Sequence, residues 1–466
     1  MASKSKRARM APQRNFLKTF MYWATAVFLV KVVIILNIPI TNLDIGGNKL
    51  IPFGRIWLGA DGENYIKAYD FLSQEGLFSK EGILNYWPAG YPITIFILAL
   101  FNKNLVFILL SIFQSIIFSY AVYFFTKQLA KTRLKKYSYL VFVLIILNPT
   151  LSLSSLTVGY ESLTASGFLI TCAVVIKDIV EKNDHKFIKY LLLNSAILGF
   201  LIFLQPRLII SAICINLFWI ANRRGLKIIA VPLLIMSLFI MLFFPATLIY
   251  RNNKATGIKD VSLNLGITMN IGVGKNATGG YMRDGFGVPC SLNGSDSQKD
   301  KQRINCVLNW YKDNPTQTVR LFINKSIYFW SPWFNNGFYN ETITGTNLRN
   351  PWLKINPVSK LTKSPDGIKF LKSWFGDLVS WLWVLGGLTL LLYGYWVLWR
   401  QNSLERFMGN ITMAIILTNW LVSLISIGDH RFRMPIMGMS LFLQAVGLKT
   451  LFNRGKVLMV DGPALR

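Results

Sequence analysis

The sequence predicts an all-α integral membrane protein, and its composition gives the first reason. Of the 466 residues, 53% are hydrophobic and only 15% are charged, whereas soluble domains carry roughly 25% charged residues. The 50 Lys and Arg exceed the 21 Asp and Glu, so the formal net charge is +29. In a soluble protein that charge would indicate nucleic-acid binding, but in a membrane protein it sets the orientation of the helices. We therefore expect a membrane partner and no nucleic acid.

The second reason is a series of apolar runs long enough to cross a bilayer, which takes about 17 to 25 residues. We expect about ten transmembrane helices, and three short runs leave that count open by one or two. The first run is too long for a signal peptide and lacks a small-residue cleavage site, so it should remain as the first helix. The predicted spans are Leu17 to Ile38, Leu105 to Phe125, Tyr137 to Leu153, Leu156 to Ile176, Phe187 to Leu204, Leu208 to Ile220, Leu226 to Ile249, Leu378 to Trp399, Met408 to Ile427 and Pro435 to Leu451.

The third reason is the position of the basic residues, which also predicts the orientation. A basic tail precedes the first span, and the short connections between alternate spans are rich in Lys and Arg, as cytoplasmic loops are. Both termini should then be cytoplasmic. The abundance of Ile, Lys and Asn is typical of an AT-rich bacterial genome, so we expect the protein in a bacterial inner membrane. The predicted organisation is a tail at 1–16, a transmembrane catalytic module at 17–249 with its first external loop at 39–104, an external loop region at 250–377, C-terminal transmembrane helices at 378–453 and a cytoplasmic tail at 454–466.

The first external loop contains a candidate acid. Asp61 precedes Tyr65 and Ala68 at spacings of four and seven residues, which predicts a short surface helix with the carboxylate at its positive end. A second interpretation is that Asp61 only caps this helix. Further along, the apolar run from Ile93 to Phe101 is too short to span and predicts a half-inserted helix.

Charged side chains recur at the external ends of other predicted spans, where they are costly and usually functional. Glu161 begins the fourth span, and Arg207 lies in a tight turn between two apolar helices. Arg431 and Arg433 belong to a turn at 429–435. Each has a simpler explanation: a capping or solvated Glu161, an Arg207 that reaches a bilayer phosphate, and a C-terminal arginine that anchors the interface.

Together these residue types predict group transfer from a phosphorylated lipid at the external leaflet. A carboxylate can deprotonate an acceptor hydroxyl or amine. Guanidinium groups can stabilise the charge that develops on a phosphate leaving group. Both types are predicted to lie on one face of the membrane, beside a basic loop, so they can act on the same substrate.

A set of short motifs is spread from about residue 40 to about residue 435. They are Asp61-x-Glu63 with Tyr65 and Ala68, Pro88-x-Gly90-Tyr91-Pro92, Gln114, Asn148-Pro149, Glu161, Pro206-Arg207, Asn276-Ala277-Thr278-Gly279-Gly280 and Arg431-Phe432-Arg433-Met434-Pro435. In this order and on this side of the membrane, the chain resembles the membrane glycosyltransferases of the GT-C superfamily. Among these it is similar to the polyprenyl-phosphate-sugar-dependent type, which includes the protein O-mannosyltransferases and the aminoarabinose transferases of lipid A.

The resemblance implies a GT-C-like bundle with surface helices in the first external loop and a periplasmic active site. It implies transfer of a sugar from a polyprenyl-phosphate-sugar lipid to an acceptor glycan, lipid or protein, with inversion at the sugar carbon. Asp61 would be the catalytic base, and Glu161 would position the acceptor or an ion.

The resemblance also assigns binding roles. Arg207, Arg431 and Arg433 would neutralise the donor phosphate, and the lipid tail would run down a groove between helices. The stretch from Asn264 to Tyr281 resembles the glycine-rich loop that relatives place over the sugar donor. The predicted substrate-binding residues are Glu63, Tyr65, Tyr91 and Asn276.

Metal dependence stays open at this point, because some GT-C branches use a divalent cation and others do not. Mg²⁺ or Mn²⁺ would need hard oxygen ligands, and Asp61, Glu63 and Glu161 are the candidates. Cys290 and Cys306 lie in the second external segment, where an oxidising exterior favours a disulfide between them, although two free thiols are the alternative. Beyond residue 280 we expect a loop with little regular pattern, finished by a surface helix near Asn324 to Trp333.

Two other functions fit part of the sequence. A lipid-linked glycan polymerase or ligase would differ mainly in its acceptor. A lipid-linked sugar flippase or another transporter would also be multi-pass and basic, but it should place charged residues along a pathway through the midplane and show repeat symmetry.

Overall fold

The computed structural model describes residues 2–45, 50–59, 61–181, 183–223, 229–280, 287–330, 373–401 and 403–460. These ranges are almost entirely α-helical, with four short strands, which confirms the predicted all-α class. The elements in chain order are α1 Ala2–Asn37, β1 Ile40–Asp44, β2 Leu50–Gly54, β3 Trp57–Leu58, α2 Gly62–Glu75, α3 Ile83–Tyr86, α4 Gly90–Ala99, α5 Val106–Leu129, α6 Lys135–Ile146, α7 Pro149–Leu153, β4 Thr157–Val158, α8 Glu161–Glu181, α9 Asp184–Leu204, α10 Ile209–Asn222, α11 Ala230–Thr256, α12 Leu265–Ile271, α13 Asp296–Asp313, α14 Pro315–Trp330, α15 Trp374–Trp399, α16 Ser403–Ile425 and α17 Met434–Val460.

Eight of the described helices are long and apolar enough to cross a membrane: α1, α5, α8, α9, α11, α15, α16 and α17. Helices α6 and α7 form a bent pair, with an angle of 57° between them, that can serve as a ninth span. The predicted span from Leu208 to Ile220 corresponds to a shorter apolar helix, Pro206–Asn222.

This shorter helix nevertheless runs from one end of the bundle to the other. At its far end, Arg223 pairs with Asp178, near the end of α8, with 2.5 Å between Nη2 and Oδ1. At its near end, the Arg207 guanidinium stacks on Phe432, just before α17. By length and composition the described helices therefore give eight membrane spans, or nine with the bent pair, where the sequence predicts about ten.

The long connections lie together at one end of the bundle. We call this end the loop face, and it consists of the described residues of 38–105 and 257–330. Arg251, near the end of α11, donates hydrogen bonds to the Leu77 carbonyl at 3.0 Å and the Asn85 side chain at 3.0 Å. The Leu263 N–H also donates to the Asn85 carbonyl at 2.9 Å. The short connections, such as residues 130–134, lie at the opposite end, which we call the turn face.

The first connection has the helices that the sequence predicts. Helix α2 begins after Asp61 and buries Tyr65 and Ala68 on one side. Helix α4 is the predicted short apolar helix, and six of its residues are buried. Its first residue, Gly90, lies so close to α9 that a Cβ there would be 1.9 Å from the Phe203 carbonyl oxygen.

The second connection is more regular than predicted. Helices α13 and α14 occupy most of residues 296–330, so the expectation of a loop with little regular pattern is wrong for this part. Helix α13 begins with a capping box. The Ser295 side chain accepts a hydrogen bond from the Gln298 N–H, and the Gln298 side chain accepts one from the Ser295 N–H. The predicted helix near Asn324 to Trp333 forms the second half of α14, and its last residues lie outside the described ranges. Cys290 and Cys306 form a disulfide with 6.0 Å between their Cα atoms.

Candidate functional site

Two short strands bring the candidate acids together. Strands β3 and β4 pair in parallel, with Leu58 opposite Val158. Asp61 follows Leu58 by three residues and Glu161 follows Val158 by three residues, so the two acids enter the site side by side. A glycine is needed between β3 and Asp61, because a Cβ on Gly59 would lie 2.2 Å from the Val158 carbonyl oxygen.

Arg431 binds both acids. Its Nη1 atom donates to Asp61 Oδ2, and its Nε atom donates to Glu161 Oε1. Arg431 and Glu161 are buried, at 7% and 6% exposure, whereas the Asp61 side chain is 21% exposed. Charge-assisted hydrogen bonds of this kind are the strong ones in proteins. Three segments that are distant in the sequence are thus joined through one guanidinium group.

The backbone under Arg431 is also fixed. Asp429 caps the 3₁₀ helix His430–Arg433 and accepts a hydrogen bond from the Arg431 N–H at 2.9 Å. The same turn places the Phe432 ring under Arg207, with 3.7 Å from the Arg207 Cζ atom to the ring centroid. The 429–433 turn therefore organises both arginines.

The structure decides between the interpretations of two acids. Asp61 occupies the N-cap position of α2, but its side chain makes no capping hydrogen bond, so the interpretation that it only caps the helix is wrong. Glu161 is buried and bound to Arg431, so it is not a solvated residue. Both carboxylates are paired with the same guanidinium group, that of Arg431.

Arg207 has buried nitrogen atoms that bind nothing in the described structure. Its Nε and Nη2 atoms, and the Nη2 atom of Arg431, are buried without a hydrogen-bond partner among the described residues. Arg207 lies within electrostatic range of Arg431, Glu161 and Asp429. The Arg207 residue as a whole is only partly buried, and its guanidinium lies on the Phe432 ring. Two neighbouring arginines thus retain three unused donor atoms.

Tyrosine side chains support the two acids from behind. The Tyr91 hydroxyl accepts from the Gly159 N–H at 2.8 Å and donates to Gln114 Oε1 at 3.2 Å. The Gln114 amide in turn donates to the carbonyl of Thr157 at 3.0 Å, so it fixes β4. Tyr65 packs edge-on against Tyr91, with 5.1 Å between ring centroids.

These tyrosines are neutral and enclosed. Burial raises the pKa of Tyr65 and of Tyr160, which keeps both as uncharged hydroxyls. Tyr65 and Tyr91 are 3% and 0% exposed, and they lie under the acids. Their predicted contact with substrate stays a prediction, and the structure adds a positioning role for Tyr91 through Gly159.

Three other residues that the sequence predicts for the site, Glu63, Asn276 and Arg433, are not part of the bridge between Arg431, Asp61 and Glu161. Glu63 lies in the first turn of α2 with an exposed side chain, and Asn276 is also exposed. Arg433 donates from Nη1 to the Trp330 carbonyl oxygen, so it ties the 429–433 turn to α14. The predicted roles of these three in binding substrate stay predictions.

The candidate metal ligands Asp61 and Glu161 are both paired with an arginine. Among the residues that the structure describes, no group of three or more His, Cys, Asp or Glu side chains is placed to hold a metal ion. The positive charge between Asp61 and Glu161 is that of Arg431. Whether Asp61, Glu63 and Glu161 bind Mg²⁺ or Mn²⁺ therefore stays an open prediction.

Comparison with known proteins gives one similar structure to report. No family model matches the chain, and no curated protein matches it. The structure is similar to the archaeal oligosaccharyltransferase AglB from Archaeoglobus fulgidus, solved with an inhibitory peptide and a dolichol-phosphate, with a TM-score of 0.43 and 10% identity. The match covers 96% of this chain and 53% of that one, so the chain spans about half the length of AglB. A likeness at this identity and TM-score says nothing by itself about the activity of this chain.

The Tyr91 hydroxyl gives a prediction about stability. Tyr91→Phe leaves the buried Gly159 N–H without its acceptor, so it should lower the free energy of unfolding by about 1–3 kcal/mol. Thermal unfolding in detergent measures the change. Tyr120→Phe is the matched control. It also removes only a hydroxyl and keeps the ring, but at a residue of α5 that is 52% exposed. Equal melting temperatures for the two variants would contradict the role given to Tyr91.

Proposed function

We propose that this protein transfers a sugar from a polyprenyl-phosphate-linked donor to an acceptor at the loop face. One observation carries the proposal: Arg207 and Arg431 keep three buried, unpaired donor nitrogens next to two carboxylates, one of which is partly exposed. A buried donor without a partner costs about 1–3 kcal/mol. An anionic group with several oxygen atoms satisfies all three donors at once.

A phosphate fits these donors better than a carboxylate does. Arginine offers donors in a planar fork that suits phosphate oxygens, and it stays charged. Asp61 and Glu161 together carry two negative charges, and Arg431 and Arg207 carry two positive charges. Since Arg431 is already bound to both acids, Arg207 is the arginine whose charge is available to an incoming phosphate.

The location favours a phosphate that is attached to a lipid. Arg207 and Arg431 lie at the loop-face ends of apolar helices, where a headgroup can be bound while its apolar chain extends between helices. An apolar cavity of about 310 Å³ lies between α6, α15 and α17 and is lined by Leu147, Trp383 and Leu441, among others. We assign this space to the lipid tail, because α17 starts directly after the 429–433 turn.

Asp61 is the base in this proposal because an acceptor can reach it, whereas Glu161 is enclosed. The acceptor hydroxyl or amine gives its proton to the Asp61 carboxylate while its oxygen or nitrogen attacks the anomeric carbon. The bond from that carbon to the phosphate oxygen breaks, and its electron pair leaves with polyprenyl phosphate. Attack opposite the leaving group inverts the anomeric carbon.

The other charged residues of the site have supporting roles. Glu161 holds the Arg431 guanidinium in the orientation that also contacts Asp61. Arg207 and the free Nη2 atom of Arg431 donate hydrogen bonds to the phosphate as its negative charge grows, which stabilises the transition state more than the ground state.

The basic residues assign the loop face to the outside of the cell in this proposal. The turn face carries the short basic connections, including Lys127, Lys131 and Lys136, and such loops remain in the cytoplasm. The protein would then lie in the bacterial inner membrane with its site in the periplasm. A glycan polymerase or ligase would use the same donor and differ in its acceptor.

The first prediction concerns Asp61. Asp61→Asn removes the proton acceptor and should lower glycan transfer by about 10²–10⁴-fold, without loss of the protein from the membrane. Mass spectrometry of polyprenyl-phosphate sugars and envelope glycans in gene-deleted cells that carry the variant should show an accumulated donor and a missing glycan. Asp313→Asn, which changes an exposed acid at the end of α13, should behave as wild type. A normal glycan in the Asp61→Asn cells would exclude Asp61 as the base.

The second prediction concerns the donor phosphate. Arg207→Met removes two of the three free donor atoms and should weaken binding of a polyprenyl monophosphate at least about tenfold, since a hydrogen bond to a charged group contributes about 1.5–3 kcal/mol. Native mass spectrometry of the protein in nanodiscs measures the dissociation constant. Arg320→Met, which changes an exposed arginine on α14, is the control. Unchanged affinity in Arg207→Met would contradict the assigned phosphate site.

A further inference from the structure

A buried lysine donates hydrogen bonds to the backbone carbonyls at the end of helix α16. Lys325, on α14, has no exposed surface. Its Nζ atom donates to the Tyr311 hydroxyl at 2.7 Å, the Leu424 carbonyl at 2.9 Å and the Ser426 carbonyl at 2.7 Å. The Tyr311 hydroxyl donates to the Ile425 carbonyl at 2.9 Å. Two side chains thus satisfy three consecutive carbonyls where α16 has no further N–H groups to offer.

The ammonium form of Lys325 matches this environment. An ammonium has three N–H donors, and the described structure gives it three acceptors at the negative end of a helix. A neutral amine has two donors, so one of these hydrogen bonds must be lost when Lys325 is deprotonated. Burial lowers the pKa of Lys325 to about 7, so this loss occurs in the neutral pH range.

The titratable neighbours of Lys325 do not compensate for that change. Tyr311 faces it from α13, and burial raises the pKa of Tyr311, so Tyr311 stays neutral. The end of α16 contributes backbone carbonyls. The stretch before Asp429 contributes Gly428, and the 278–280 segment contributes Gly279, whose Cβ would lie 2.9 Å from the Lys325 Cγ atom. Along the chain from Ser426, the first residue with a charged side chain is Asp429, one residue beyond Gly428.

The residues that Lys325 holds lead directly to Arg431. The Gly428 N–H donates to the Gly279 carbonyl at 2.9 Å, and a Cβ on Gly428 would lie 2.5 Å from the Lys325 Cα atom. The backbone of 426–428 therefore lies directly on α14. At the other end of the turn, Arg433 bonds the Trp330 carbonyl, also on α14. Helix α14 therefore contacts both ends of the segment that carries Arg431.

We propose that Lys325 is a positioning residue for Arg431: its ammonium group fixes the end of α16, and through it the turn that presents Arg431 to Asp61, Glu161 and the donor phosphate. This inference rests on the proposed function for the identity of the ligand. The positioning itself is a property of the free protein and can be tested without a ligand.

The direct test is amide hydrogen exchange of the peptide that covers residues 424–433, in the full-length protein in nanodiscs. Lys325→Met keeps a side chain of similar length and removes the ammonium, so exchange in this peptide should rise about tenfold. Lys312→Met, an exposed lysine on α13, should leave it unchanged. In wild type, after correction for the intrinsic rate, exchange should be faster at pH 9 than at pH 6, because the neutral lysine dominates above pH 7. The Lys325→Met variant should lose this difference.

If Lys325→Met does not fold, Tyr311→Phe replaces it. That variant removes one acceptor of the ammonium and the donor to Ile425, so it should also raise exchange at 424–433. Exchange equal to wild type at both pH values, in whichever variant folds, would overturn the inference.

A second measurement separates this inference from the proposed function. Binding of a polyprenyl monophosphate should be about tenfold weaker in Lys325→Met than in wild type and Lys312→Met. If wild type does not bind this lipid, the proposed donor is wrong, and the exchange result alone decides the role of Lys325. If wild type binds and exchange is unaffected by the variants, the proposed function stands and the positioning role falls.

Discussion

The bridge from Arg431 to Asp61 and Glu161 is the interaction on which the rest of the site depends. It joins the loop before α2, the start of α8 and the turn before α17, three segments that are distant in the sequence. Removal of one partner from a buried ion pair costs about 3–5 kcal/mol, because the remaining charge is left uncompensated. Because both acids are bound to Arg431, the charge of Arg207 is not matched by either of them, which is why the proposed function places the donor phosphate at Arg207.

The surrounding structure serves to hold this bridge in one geometry. The pairing of β3 with β4 sets the two acids side by side, and Tyr91 and Gln114 fix β4 from behind. Helix α14 fixes the turn on the opposite side through Lys325 and Trp330. Each contact uses backbone groups that would otherwise be unpaired, so the positioning also satisfies buried hydrogen-bonding groups.

The sequence predicts the fold class and most of the charged residues of the site, because charges at the ends of apolar helices are costly and therefore conspicuous. It does not predict that Asp61, Glu161 and Arg431 form one bridge, since the pairing depends on β3 and β4, two-residue strands with no sequence signature. The sequence does not predict the burial of Lys325, because a lysine on an amphipathic helix of an external segment is expected to be exposed. Its burial depends on close approach of Gly279 and Gly428, which are distant in the sequence. Helix α13 had a readable signal in its capping box, Ser295 and Gln298.

The most direct test of the central claim is a cryo-electron microscopy structure of the protein in nanodiscs with a polyprenyl monophosphate. The account predicts phosphate oxygens within hydrogen-bonding distance of the Arg207 Nε and Nη2 atoms and of the Arg431 Nη2 atom, with Arg431 still bound to Asp61 and Glu161. A phosphate bound elsewhere, or a site in which Arg431 contacts neither acid, would contradict it.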